Sequence, residues 1–485
     1  VPAAAADTLW VRLYDGLEPA HHKFCRAAAV AADPVRGLVY VCGSGESSYV
    51  YQTDMALVCY DFAGRQLWHA SYGGNSSTGS EADVAHALAV DQSGDVYVVG
   101  ITGNDPPRWD DYSYCKYAPD GTRRWARKSM RPDDDIFCDV AIGPRGEVYA
   151  CGAQTDSVSG YHAYLVVRID PASGDTLWTR SYVLDTTTPG RRARRETHPE
   201  FLFSDHWDWD DCAAALAVDP RDGGVVTTGW GYSDDDCQYS EWWTMKFDAY
   251  GNRLWEAVTH GNAPQPEDDD RAFDVVIDDL GYIYACGFAY EGESEFYDYA
   301  VEKFSPGGTR LAHVAWGCGA TGDDDYAFGL CLDSATPQNL YVTGCVSYPT
   351  SWDVVTQKLR TTTMERLWGP AGAIYATEDV DVGLDVTWQG GKVFVAGLRG
   401  GEDQNDLLLL CYTDADRGAG FKDTLWTWTY DSPDGLDDFA SAVCVLDTDL
   451  VFVAGDCARR DSAGRWSSQF AARLVCPGAG LADAP

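Results

Sequence analysis

The chain has 485 residues, with 75 Asp and Glu against 36 Lys and Arg and a formal net charge of −39. That balance argues against nucleic acid and anionic membranes as partners, because both need a basic surface. No apolar run approaches the roughly 18 residues that span a bilayer, while 45% hydrophobic and 13% aromatic residues supply ample core material.

The first residues, VPAAAAD, are a small-residue stretch of the kind found near a processed terminus,. They lead to the expectation of an exported product, extracellular or at the cell surface. The strand DTLWVRLYD, residues 7 to 15, follows. Then a short apolar strand ending in glycine recurs as VYVCG, VYVVG, VYACG, VVTTG, IYACG, LYVTG, VFVAG and VFVAG. These close at Gly43, Gly100, Gly152, Gly229, Gly287, Gly344, Gly397 and Gly455, spaced 52 to 58 residues apart apart from one gap of 77. A period of this size marks a repeat architecture.

Each unit reads as a hairpin such as DVAHALAVD-QSGD-VYVVG, a variable loop, a third strand such as SYCKYAP, and a fourth strand opening with Leu-Trp,. The second strands are apolar on both faces, so each small sheet must be covered on both sides, which radial packing around an axis supplies. The sequence therefore predicts an all-β chain, a single eight-bladed β-propeller of four-stranded antiparallel blades. The blades are expected at 25–75, 82–130, 135–183, 211–260, 270–318, 324–374 and 378–431, with 184–210 an inserted loop and 437–477 the first three strands of the eighth. The last unit lacks a fourth strand, so residues 7 to 15 are expected to complete it, in the same molecule or in a neighbouring copy.

The pattern DxAxxLAVDxxGxVYVxG followed by G-x-x-LW, best seen from Asp83 to Trp125, resembles the bacterial SBBP-type β-propeller repeat family. The resemblance covers essentially the whole chain and implies a secreted or surface-attached scaffold rather than one reaction. The fourth-strand tryptophans Trp10, Trp68, Trp125, Trp178, Trp255, Trp368 and Trp426 resemble the docking tryptophans of quinoprotein propellers; only Ala312 departs. Quinoprotein alcohol dehydrogenases usually carry adjacent cysteines, and this chain has no Cys-Cys.

An acidic residue starts most first strands: Asp83, Asp135, Asp211, Asp270, Asp325 and Asp438, with Cys25 in the first unit and Asp379 and Asp381 near the place in the seventh. Such a ring of carboxylates has two readings, capping of loop amides or a site for a hard divalent cation, so calcium is the one cofactor the sequence admits. The sixteen cysteines fit an oxidising compartment, and none forms a CxxC pair,. A four-residue turn from Gly143 to Gly146 would place Cys138 opposite Cys151 and predicts a disulfide there; Cys42 and Cys59 form a second candidate pair,.

The insertion carries the basic run Arg191, Arg192, Arg194 and Arg195 beside Trp207 and Trp209, an arrangement suited to an anionic ligand or to another copy of this acidic chain,. Mixed aromatic and acidic loops at Trp109–Tyr112, Tyr239–Trp243 and Phe296–Tyr299 suit carbohydrate as well as blade-edge packing,. The chain has no HExxH, G-x-S-x-G or phosphate loop,. The expected function is thus an exported structural or adhesive binding scaffold, with self-assembly through the N-terminal strand or the insertion. Its expected partners are proteins, further copies of itself or extracellular carbohydrate. The alternative is a channel-mouth enzyme of quinoprotein or polysaccharide-acting type.

Overall fold

The computed structural model describes residues 4–5, 7–14, 26–46, 53–73, 83–103, 110–129, 131, 134–157, 160–183, 211–232, 239–261, 269–292, 297–317, 324–348, 351–401, 404–415, 424–432, 437–448, 450–460 and 466–475. Every element among them is a β-strand, and the strands form eight antiparallel sheets. The chain is an all-β propeller of four-stranded antiparallel blades.

The first strands of the sheets are Arg26–Asp33, Val84–Val90, Asp135–Ile142, Cys212–Val218, Arg271–Ile277, Tyr326–Leu332, Asp381–Gln389 and Asp438–Asp447. Each lies beside the next, and Asp438–Asp447 lies beside Arg26–Asp33. The outer strands of the first seven sheets are Gln66–Tyr72, Arg123–Lys128, Thr176–Tyr182, Arg253–Thr259, Arg310–Trp316, the short Ala373–Tyr375, and Thr424–Tyr430. In the eighth sheet the outer position is taken by Asp7–Tyr14, which pairs antiparallel with Trp466–Val475. Just before it, Ala4 and Ala5 run parallel to Trp426 and Thr427 on the edge of the seventh sheet.

The recurrent glycine has one physical cause. Each first strand carries a bulge, as between Ala272 and Asp274, and the glycine of the second strand pairs with the residue just before it, Ala272 with Gly287. A Cβ on Gly287 would stand 1.9 Å from the Arg271 carbonyl oxygen, and the same collision recurs at all eight positions. The bulge pushes a carbonyl into the space a side chain would need.

Between the sheets lie apolar layers, such as Tyr284, Val301, Leu340, Val342 and Leu359 between the fifth and sixth. The second and third strands of each sheet are almost wholly buried, which explains why they read as continuous apolar runs,.

The observed registers correct both disulfide pairings, the first through a bulge. The turn after Ile142 is one residue longer than the sequence spacing implies, so Ile142 pairs with Val148 and Asp139 faces Cys151, leaving Cys138 as the bulged residue. Cys138 Sγ instead lies 3.5 Å from Cys212 Sγ in the neighbouring sheet. Cys42 faces Leu57 and Cys59 faces Tyr40, so those two thiols are out of register; all four are unbridged.

Candidate functional site

The acidic residues that start the first strands are buried and hold loops. Asp83 Oδ1 accepts the Gly103 amide, Asp325 Oδ1 that of Ser347 and Asp438 Oδ2 that of Ser432, at 2.5–2.6 Å. Asp135 takes the Thr155 amide and the Ser129 hydroxyl, and Asp270 takes the amides of Tyr290 and Gly261. Burial pushes Asp270 up to about 7 and Asp135 up to about 6, against the amides, hydroxyl and arginine that hold them down. Asp211 is equally buried. The groups they hold lie in the same blade, as Gly103, Thr155, Tyr290 and Ser347 do, or in the loop arriving from the preceding one, as Ser129, Gly261 and Ser432 do. Among the described residues no group of three or more His, Cys, Asp or Glu is placed to hold a metal.

Of the aromatic loop residues, Trp242, Trp243 and Tyr299 are buried in the layers between sheets, and Tyr112 stacks on Phe137 with ring centroids 4.2 Å apart. Trp109 and Phe296 lie outside the described residues. So do Cys25 and the whole insertion, with Arg191, Arg192, Arg194, Arg195, Trp207 and Trp209.

Five of the seven fourth-strand tryptophans lock neighbouring blades, while the buried indole N–H groups of Trp368 and Trp426 meet no acceptor among the described residues. The indole N–H groups of Trp10, Trp68, Trp125, Trp178 and Trp255 donate to the carbonyls of Phe62, Pro119, Pro171, Ala249 and Pro306 in the next blade, at 2.8–3.3 Å. Each indole also covers a turn glycine of that blade, namely Gly64, Gly121, Gly174, Gly251 or Gly308, where a Cβ would meet the ring at 2.5–2.8 Å. Those glycines have φ between 75° and 85°, so the left-handed turn and the missing side chain serve one contact,.

Between the fifth and sixth blades the lock is inverted. The outer strand carries Ala312 where its neighbours carry Trp. The sixth blade's turn, closed by Arg360 and Glu365 as Asp170 and Asp175 close the third's, carries Met364 where the third has Gly174. Met364 holds φ of 58°, the one non-glycine residue with positive φ among the described residues, a conformation that strains a long side chain. Met364 is buried and belongs to the apolar layer that Ala312 packs against. The exchange of a rigid indole for a flexible thioether leaves a cavity of about 550 Å³.

Its lining includes Tyr282, Tyr284, Lys303, Ala312, Pro337 and Met364. Lys303 is 7% exposed; its ammonium donates to the Thr361 carbonyl and lies 4.7 Å from the Tyr282 ring centroid and 5.5 Å from that of Tyr284. Thr361 stands three residues before Met364 as Pro171 stands three before Gly174, so its carbonyl is the one an indole would meet.

Of the corresponding lysines, Lys358 also donates to a turn carbonyl, that of Asp414, at 2.7 Å, whereas Lys116 and Lys246 face carboxylates. Lys116 Nζ is 3.0 Å from Asp95 and 3.4 Å from Asp91, and Lys246 Nζ is 2.5 Å from Asp219. In the fifth blade Tyr282 occupies the place of Asp95. Asp278, in the place of Asp91, spends its Oδ2 on the Tyr284 hydroxyl and its Oδ1 on the amides of Leu280 and Tyr282. Burial lowers the Lys303 ammonium below its ordinary range, with only Asp278 opposing it.

Ala312 is visible in the sequence as a departure from the Leu-Trp pattern. Met364 is not, because the turn of the sixth unit contains no glycine from which to count, and Lys303 reads like the lysines of other third strands, such as Lys116 and Lys246.

No protein-family model matches this chain, and no curated protein matches it. Among solved structures, it is similar to Sqt1 of Chaetomium thermophilum, with a TM-score of 0.52, 11% identity and coverage of 98% of this chain and 99% of that one. It is likewise similar to the same protein bound to the N-terminus of the ribosomal protein L10, with a TM-score of 0.53, 12% identity and coverage of 96% and 98%. At such identity the likeness is one of fold alone, and it places this chain among the β-propellers.

Proposed function

We propose that the chain is a non-enzymatic binding scaffold, one eight-bladed ring sealed by its N-terminal strand, of the SBBP-type repeat kind. Its working place is taken to be outside the cell or on its surface. The carrying observation is the way repeated side chains are used: the first-strand carboxylates cap loops and the outer-strand indoles lock seams. What remains for specificity is the set of exceptions, chiefly the seam at Ala312 and the 184–210 insertion. A protein partner is the favoured occupant, and the similar propeller Sqt1 holds a ribosomal protein's N-terminus. A further copy of the chain or an extracellular carbohydrate is a narrower version of the same reading, and calcium bound at the acidic loops is its one cofactor proposal.

Size exclusion and negative-stain microscopy of the purified chain, beside a variant with the residues from Arg191 to Arg195 replaced by serine, test the assembly version. Oligomers or filaments lost in the variant are expected. A monodisperse monomer in both removes self-assembly, and a bound quinone absorbance overturns the non-enzymatic reading altogether.

A further inference from the structure

Three observations meet at the seam between the fifth and sixth blades. Ala312 leaves unfilled the slot that an indole fills in five other seams, and a cavity of about 550 Å³ lies there, a size ordinary for small-ligand sites,. Thr361, whose carbonyl is the counterpart of that of Pro171, is among the lining residues. Pro171 shows that one such carbonyl serves two donors at once, since it accepts both the Trp125 indole and the Lys116 ammonium. Among the described residues the Thr361 carbonyl receives only the ammonium of Lys303, so its second lone pair is available to a ligand N–H.

The third observation is the charge. Lys303 is nine-tenths buried, and no carboxylate among the described residues stands within ion-pair distance of it, whereas Lys116 and Lys246 each have two. A buried ammonium facing a cavity without its counter-ion favours an anion strongly, because the partner would be held in a low-dielectric setting.

We propose that this seam is a binding site for an indole carboxylate: the ring takes the vacant tryptophan slot between Tyr282, Ala312, Pro337 and Met364, its N–H donates to the Thr361 carbonyl, and its carboxylate pairs with Lys303. Met364 is the adjustable wall, since an unbranched thioether can change rotamer to admit a flat ring. The inference rests on the reading of the chain as a binding scaffold but not on self-assembly, so a monodisperse monomer would leave it standing.

The test is calorimetric titration of the intact protein with indole-3-acetate, indole-3-acetamide, and a short peptide ending in tryptophan with a free or an amidated C-terminus. Saturable binding of the acid, roughly tenfold tighter than the amide, is expected from the charge-assisted pair. Lys303→Met should bring the two within about twofold, and Ala312→Trp, which fills the slot, should abolish binding of both. If Ala312→Trp does not fold, the collapse of the acid preference in Lys303→Met still decides the matter. Binding of the free-acid peptide but not its amide would make a chain terminus the natural source of the ligand, and binding of the small acid alone a metabolite. Equal affinity for acid and amide in the unaltered protein, no saturable binding of any probe, or unchanged binding by a folded Ala312→Trp variant would each overturn the proposal.

Discussion

Trp255 leaves no room for a side chain at Gly308: a Cβ there would stand 2.5 Å from the indole, whose N–H donates to Pro306 two residues earlier at 3.1 Å. The contact joins the fourth blade to the fifth through one ring and one turn. Gly308→Ala should therefore be penalised twice, by the collision and by φ of 85°, and a loss of about 2–4 kcal/mol is expected. Urea unfolding monitored by tryptophan fluorescence measures it. Gly146, with φ of 86° but nothing within 4 Å of its Cβ, is the control: alanine there should cost only the backbone share, about 1 kcal/mol.

Cys138 and Cys212 offer a redox staple between the third and fourth blades. Their sulfurs are 3.5 Å apart, against roughly 2.05 Å in a disulfide. Treatment of the folded protein with oxidised glutathione, which accepts the two electrons and two protons released, should link this pair first. Peptide mapping should show the Cys138–Cys212 crosslink, absent in Cys212→Ser. A crosslink from Cys138 to Cys151 instead would contradict the observed register.

Asp139, Asp274 and Asp385 occupy equivalent places just after the bulges of alternate first strands, and each accepts an amide from the next blade, Leu216, Leu330 or Val443, at 2.7–3.0 Å. Burial pushes Asp274 up to about 8, with Asp139 and Asp385 adding to the rise and the amides of Leu330 and Val275 opposing it. A folded pKa above the unfolded value of about 3.8 means that the folded state binds the proton more tightly. The stabilisation is complete below about pH 3.8 and is lost as pH rises through about 8. Asp274→Asn keeps a carbonyl acceptor and removes the titration. Its melting temperature should thus fall less than the parent's between pH 5 and 9, by scanning calorimetry.

The repeat and the strand order are legible because glycine and tryptophan recur at fixed places for local reasons, the bulge opposite Gly287 and the turn under Trp255. The cysteine partners were not legible, since a bulge removes Cys138 from the pairing count and its true neighbour, Cys212, is 74 residues away. The six first-strand aspartates show a related limit: a ring of carboxylates looks the same in sequence whether it faces an ion or its own loop amides. Ala312 was visible as an exception, but its meaning depends on Lys303, Tyr282 and Met364, which come from three different strands and turns of two blades. Only packing brings them together.

His313, next to Ala312, joins two carboxylates in the fifth blade, with Nε2 at 2.6 Å from Glu291 and Nδ1 at 2.8 Å from Glu302. Burial alone would lower its pKa, but the hydrogen bonds to Glu291 and Glu302 outweigh it and raise it to about 9. The bridge therefore stabilises the fold fully below the unfolded value of about 6.5 and is lost as pH climbs through about 9. His313→Gln can still hydrogen-bond but cannot charge. It should lower the melting temperature at pH 6 and converge on the parent near pH 10, and a constant difference across that range would show that His313 is neutral in the fold. Since Glu302 is also held by Arg310, the variant should stay folded and leave the comparison readable at both ends.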